Sequence, residues 1–82
     1  MTKLEIENYL KLHRLLRPCM RWIKNEKGVS TCAVTFYRIF EMDESAIKSM
    51  RLQMLISYAE EFCTKHKGGW IKEIGHDKSV AA

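Results

Sequence analysis

Val29-Ser30-Thr31-Cys32-Ala33-Val34-Thr35-Phe36-Tyr37-Arg38-Ile39-Phe40 is the stretch on which the fold turns. It is crowded with β-branched and aromatic residues, which favour extended backbone. As a strand it sets Cys32, Val34, Phe36 and Phe40 on one face and Val29, Thr31, Ala33, Thr35, Tyr37 and Ile39 on the other. A helix competes with this reading, because Ser30 or Thr31 can cap one that carries Ala33, Phe36, Tyr37 and Phe40 at helical spacing. The β-rich composition favours the strand. The expected fold is therefore α+β, two long helices packed on a minimal β-sheet built from residues 29–40, with or without residues 70–74. An all-α three- or four-helix bundle is the alternative.

N-terminal to this stretch, Thr2 to about Asn25 reads as helical. Thr2 and Glu5 have the spacing of a capping box, in which each side chain satisfies the other residue's backbone N–H. Leu4, Leu12, Leu15, Leu16, Cys19, Trp22 and Ile23 fall on about half of one helical wheel. Pro18 interrupts that phase by removing a donor and crowding the preceding turn, so a kink or two abutting helices is expected. Gly28 is a natural stop. C-terminal to the stretch, Asp43 to Lys67 reads as the most regular helix, with Asp43 as N-cap and Gly68-Gly69 as terminator. Its apolar arc is wide, from Ile47, Met50, Met54, Leu55, Tyr58 and Phe62 to Leu52, Ile56, Ala59 and Cys63, and suits a surface partly covered by a partner. Trp70 to Ile74 is short and partly alternating, and the polar residues 76–82 read as a frayed tail beyond a single domain spanning 1–75.

With 82 residues, the chain fits one small core. Hydrophobic residues make up 46% and charged residues 29%, a folded balance and not a disordered one. The three cysteines, Cys19, Cys32 and Cys63, are odd in number, far apart and set among apolar neighbours. They read as buried free thiols in a reducing, cytoplasmic compartment. No apolar run reaches the roughly 20 residues that span a bilayer, and acids interrupt the opening residues where a secretion signal would be apolar.

Candidate chemistry is sparse. Cys19, Cys32, Cys63, His13, His66 and His76 could ligate a metal, but Cys63 and His66 are the only close pair, and structural zinc sites need two such pairs. Neither a metal nor a cofactor is expected. Cys63 and His66 could touch as nucleophile and base, yet the apolar phase turns Cys63 inward. No phosphate loop or Ser/His constellation is present, and the expected class is not an enzyme. Phe36 to Met50 has some of the rhythm of a helix-turn-helix, but Tyr37 and Glu41 crowd positions that need small residues.

The basic stripe says more. Arg14, Arg17, Arg21 and Lys24 recur every three or four residues, flanked by Lys11 and His13, with Trp22 as an apolar anchor at the edge. Such a row can grip carboxylates or phosphates, or be no more than a solvated face. Trp22 beside Arg21 and Tyr37 beside Arg38 have the composition of interface hot spots. A net charge of +4 is mild and compatible with either an acidic protein or a nucleic acid. The expected function is a non-enzymatic regulator, adaptor or inhibitor that binds a protein partner through this stripe, with a homodimer as one form it can take. Direct nucleic-acid binding is the alternative. Phage and mobile-element accessory factors are often compact basic proteins of this type, which is an analogy only.

Overall fold

A computed structural model describes residues 1–71 of the chain. Four helices follow one another: α1 (Lys3–Leu12), α2 (Leu16–Lys27), α3 (Ala33–Glu41) and α4 (Met50–Lys67), with a single 3-10 turn at Glu44–Ala46 before α4. Among the described residues there is no strand, so the expected α+β sheet is overturned and the all-α alternative holds. Residues 72–74 of the proposed second strand and the 76–82 tail lie outside the described residues.

The error lies in 29–40. Two physical terms favour helix there. A strand needs a neighbour for its backbone N–H and C=O groups, whereas a helix satisfies most of its own. Helical spacing also gathers Phe36, Ile39 and Phe40 on one buried face, where the strand alternation would have sent Ile39 to the opposite side from the two rings. Each such burial contributes about 1.5–3 kcal/mol, which outweighs the helix-propensity penalty of Val34 and Thr35 at up to about 0.7 kcal/mol each. The helix begins two residues later than a Ser30 cap implies and one later than a Thr31 cap, with Cys32 as N-cap.

The N-terminal segment is two helices, but Pro18 does not divide them. It occupies the first turn of α2, where its missing N–H costs no helical bond. The division lies at His13–Leu15, where Arg14 takes a left-handed conformation with φ 54°. There the Leu15 N–H donates to the Leu10 carbonyl at 2.8 Å, and the Arg14 N–H to the Lys11 carbonyl at 3.3 Å. This pair of bonds is the Schellman helix end, normally built on glycine. Leu10 and Leu15, the two residues it brings together, are both fully buried. The turn resets the apolar phase, so Ile6 and Leu10 face inward from α1 while Leu4 and Leu12, placed inside by the single-wheel reading, are exposed.

The same motif ends α4. Trp70 N–H donates to the Lys65 carbonyl at 2.9 Å and Gly69 N–H to the His66 carbonyl at 3.1 Å, with Gly69 at φ 81°. Gly28 closes α2 in the left-handed region as expected. The Thr2–Glu5 capping box also forms, with bonds of 3.1 and 2.7 Å. At its other end α4 begins later than the sequence suggested. Ser49, whose hydroxyl accepts from the Leu52 N–H, is its N-cap, while Asp43 precedes the 3-10 turn. The connection over residues 42–49 is too long for the tight turn of a helix-turn-helix.

Helix α4 packs chiefly on α2 and α1, and α3 packs on both α1 and α2. One core joins all four helices, including Leu10, Leu15, Ile23, Phe36, Leu55 and Phe62. Polar ties hold the connections in place. Lys3 Nζ donates to the Phe40 carbonyl at 2.7 Å, placing a cation at the C-terminal end of α3, where the helix dipole favours it. Arg51 donates to the Ser30 carbonyl at 3.0 Å and Gln53 to the Ile47 carbonyl at 3.0 Å.

Two substitutions test this description by chemical denaturation. Arg14→Gly puts at the left-handed position the residue that suits it, and is expected to raise stability by about 0.5–1 kcal/mol. Phe62→Ala opens a cavity in the shared core and is expected to lower it by about 3–5 kcal/mol. A loss of stability in Arg14→Gly would contradict the left-handed turn.

Candidate interface groove

Helix α1 ends, turns at Arg14 and re-enters α2 directly across from α3. That geometry leaves a groove of about 370 Å³ between the turn and α3. Its floor and walls are apolar: Leu10, Leu16, Ala33 and Phe40. Its rim carries Lys11, Arg14 and Arg17 on one side and Tyr37, half exposed, on the other. Ala33, Tyr37 and Phe40 share one face of α3 because they stand at i, i+4 and i+7. Ala33 has the smallest side chain of the lining and leaves the space that a larger one would fill.

The rim charges are not equivalent. Lys11 pairs with Glu7 at 2.7 Å, one helical turn away, and its Nζ lies 5.9 Å from the centre of the Phe40 ring. No carboxylate pairs with Arg14 or Arg17 among the described residues. Both side chains are exposed, so water solvates these cations in the free chain.

Of the residues singled out from the sequence, the structure therefore gathers Arg14 and Arg17 at one groove. Arg21 and Lys24 continue the exposed row along α2 but do not line it. Trp22 does not join them. It is half-buried on the side of α2 that faces α4, its ring centre 5.9 Å from that of Phe62, and Lys27 Nζ covers it at 5.6 Å. Lys27 also reaches Glu61 at 2.9 Å, and each member of this pair stabilises the charged form of the other, raising the ammonium pKa and lowering that of the carboxyl. Sequence reasoning missed the apolar floor, because it came from reading 29–40 as a strand. The helical spacing of Ala33, Tyr37 and Phe40 was the signal that would have found it.

The comparisons add no relative. No family model matches the chain, and neither curated proteins nor solved structures gave a match.

The remaining candidate residues are scattered. Cys19 and Cys63 are buried in the core as free thiols, and burial pushes the thiol of Cys63 up to about 11 and that of Cys19 higher still. Cys32 breaks the expectation of three buried thiols. It is exposed at the start of α3, 3.4 Å from the Thr35 hydroxyl, whose hydrogen bond holds its pKa below the ordinary thiol value. His66 Nδ1 lies 2.7 Å from the Tyr9 hydroxyl, joining α4 to α1, and its ring stacks on Phe62. His13 approaches the same cluster, with its ring centre 4.5 Å from that of Tyr9 and 6.4 Å from that of His66. Among the described residues no group of three or more His, Cys, Asp or Glu is placed to hold a metal ion. His76 lies outside them. No described helix is long and apolar enough to cross a membrane.

The thiol environments give a direct check. An aromatic disulfide reagent at neutral pH is expected to label Cys32 promptly in the native protein. Cys19 and Cys63 should label only after denaturation, as read by mass spectrometry of the digested chain. Prompt labelling of either core cysteine would contradict the packing described above.

Proposed function

We propose that this chain is a small non-enzymatic regulator, adaptor or inhibitor that acts by binding a protein partner, with the exposed row Arg14, Arg17, Arg21 and Lys24 as its contact surface. The observation that carries this reading is the pair Arg14 and Arg17, which have no carboxylate partner among the described residues and stand over an apolar groove. Solvated guanidinium groups beside apolar surface suit an acidic protein, because carboxylates accept their paired N–H donors while the floor takes up an apolar side chain. Trp22 belongs to the packing of α2 on α4, so its part in binding is to support the helix from behind.

Catalysis by Cys63 has little physical support. Its thiol is buried and held protonated, and a nucleophilic cysteine needs the thiolate. Two free thiols in the core suit a reducing compartment such as the cytoplasm. Binding to nucleic acid is the competing reading, since the same row of cations would suit phosphates.

The test is a comparison of capture from a lysate by the wild-type chain and by the variant Arg14→Ala/Arg17→Ala/Arg21→Ala, with and without nuclease. Circular dichroism should show an unchanged helical spectrum, because exposed charges contribute about 0–1 kcal/mol each to folding. A polypeptide that survives nuclease and binds the variant at least about tenfold more weakly, a loss of about 1.4 kcal/mol, is the expected result. Affinity for that polypeptide unchanged by the three substitutions, or capture abolished by nuclease, would overturn it.

A further inference from the structure

The groove between the Arg14 turn and α3 also specifies the chemistry of what enters it, on the reading that this surface binds a protein. We infer that it accepts an acidic segment carrying a bulky apolar side chain between carboxylates. The side chain enters over Ala33 and Phe40, and the carboxylates meet Arg14 and Arg17. Three observations converge on this ligand.

The first is size. A volume of about 370 Å³ lies within the roughly 300–1,000 Å³ common for ligand sites. Space of this kind is wasted on a flat electrostatic contact. The second is the division of labour in the lining. Leu10, Leu16, Ala33 and Phe40 offer no hydrogen-bonding side chain and no carboxylate, so the floor selects apolar matter and the rim selects negative charge. The third is the position of Arg14. A left-handed backbone places it at the rim, although glycine would occupy that conformation at lower cost. The guanidinium is thus held where the fold alone would favour no side chain, the kind of local strain that marks binding sites.

These features favour a protein segment over a nucleic-acid strand. A strand of nucleic acid binds by tracking its phosphates along a row of cations and stacking its bases on exposed aromatic faces. Here the row continues along α2 to Arg21 and Lys24, away from the groove, and the groove floor is mainly aliphatic, with the Phe40 ring buried. Tyr37 is the one aromatic ring exposed at the rim. Arginine also suits carboxylates well, since its planar fork binds both oxygens at once.

The experiment is fluorescence anisotropy with the full chain and a labelled synthetic peptide in which Glu and Asp alternate with Phe and Leu. Control probes carry Ser in place of Phe and Leu, or Lys in place of the acids, and a last control is a single-stranded oligothymidine. The acidic, apolar peptide is expected to bind saturably, the Ser peptide at least about tenfold more weakly, the Lys peptide not at all, and the oligothymidine more weakly than the first. Two variants locate the site. Arg14→Gly removes the guanidinium while suiting the turn, and should weaken the peptide about tenfold. Ala33→Leu fills the floor with both guanidinium groups in place, and should weaken it as much while the helical spectrum is kept. Equal affinity for the Phe/Leu and Ser peptides, full binding by Ala33→Leu, tighter binding of the oligothymidine, or no peptide binding at all would each overturn the groove ligand. The first two would still leave the stripe as a contact for a protein, a reading that stands or falls on the lysate comparison.

Discussion

The left-handed turn at Arg14 is the constraint on which the rest of the molecule depends. One uninterrupted helix from Thr2 to Asn25 would carry its apolar residues along a rod and could not fold back on itself. The turn instead ends α1 with two backbone bonds and starts α2 in a new direction, so that both helices pack on α4. The bond from the Leu15 N–H to the Leu10 carbonyl joins two residues whose side chains are fully buried in the core. Without the turn there would be no notch between α1, α2 and α3, and so no groove.

Comparing the two Schellman ends shows how much of this a sequence can disclose. At the end of α4 the motif is built on Gly68 and Gly69, and the doubled glycine was read correctly as a stop. At the end of α1 the same hydrogen bonds are built on His13 and Arg14, residues that give no such signal. Pro18 carries the conventional breaker signal but here only occupies a first turn. Gly28 and the Thr2–Glu5 box were legible for the same reason as Gly68-Gly69: their chemistry is local and sits in the residues themselves. The helix at 33–41 was not, because β-branched and aromatic residues fit both pleated and helical surfaces. What decides between them is the partner available for the backbone, which is a property of the whole chain. The basic row was legible only as a spacing, and Arg14 lies in the turn before α2 while Arg17, Arg21 and Lys24 lie on it. The floor beneath part of the row was not legible, since it required α3 to be a helix.

The charges divide into two populations by location. On the α4 side, cations are tied down: Lys27 to Glu61, Lys65 to Glu61 at 3.6 Å, and Lys67 over the ring of Tyr9 at 5.5 Å. On the groove side, Lys11 reaches Glu7, whereas Arg14 and Arg17 meet no carboxylate among the described residues. Opposite charges therefore knit the α2–α4 seam, and Arg14 and Arg17 stand over the notch without a carboxylate among the described residues. An attraction of this kind is longest in range at low ionic strength, and shortens to about 8 Å in physiological salt.

The contact between Tyr9 and His66 has a consequence for how the chain reaches its fold. The two residues are 57 positions apart, so their seam encloses most of the described chain. Closing a loop that long costs about 3–4 kcal/mol in the length-dependent part of its entropy. Neighbouring helices in this order meet over much shorter spans, and chains dominated by local helical contacts fold in about microseconds to milliseconds. The α1–α4 seam shares this long range with the α2–α4 seam, since α4 packs chiefly on α1 and α2 and little on its neighbour α3. Across the α1–α4 seam, the edge-on contact of the Tyr9 and His66 rings, 5.8 Å between centres, and the bond at 2.7 Å are interactions that repay the closure.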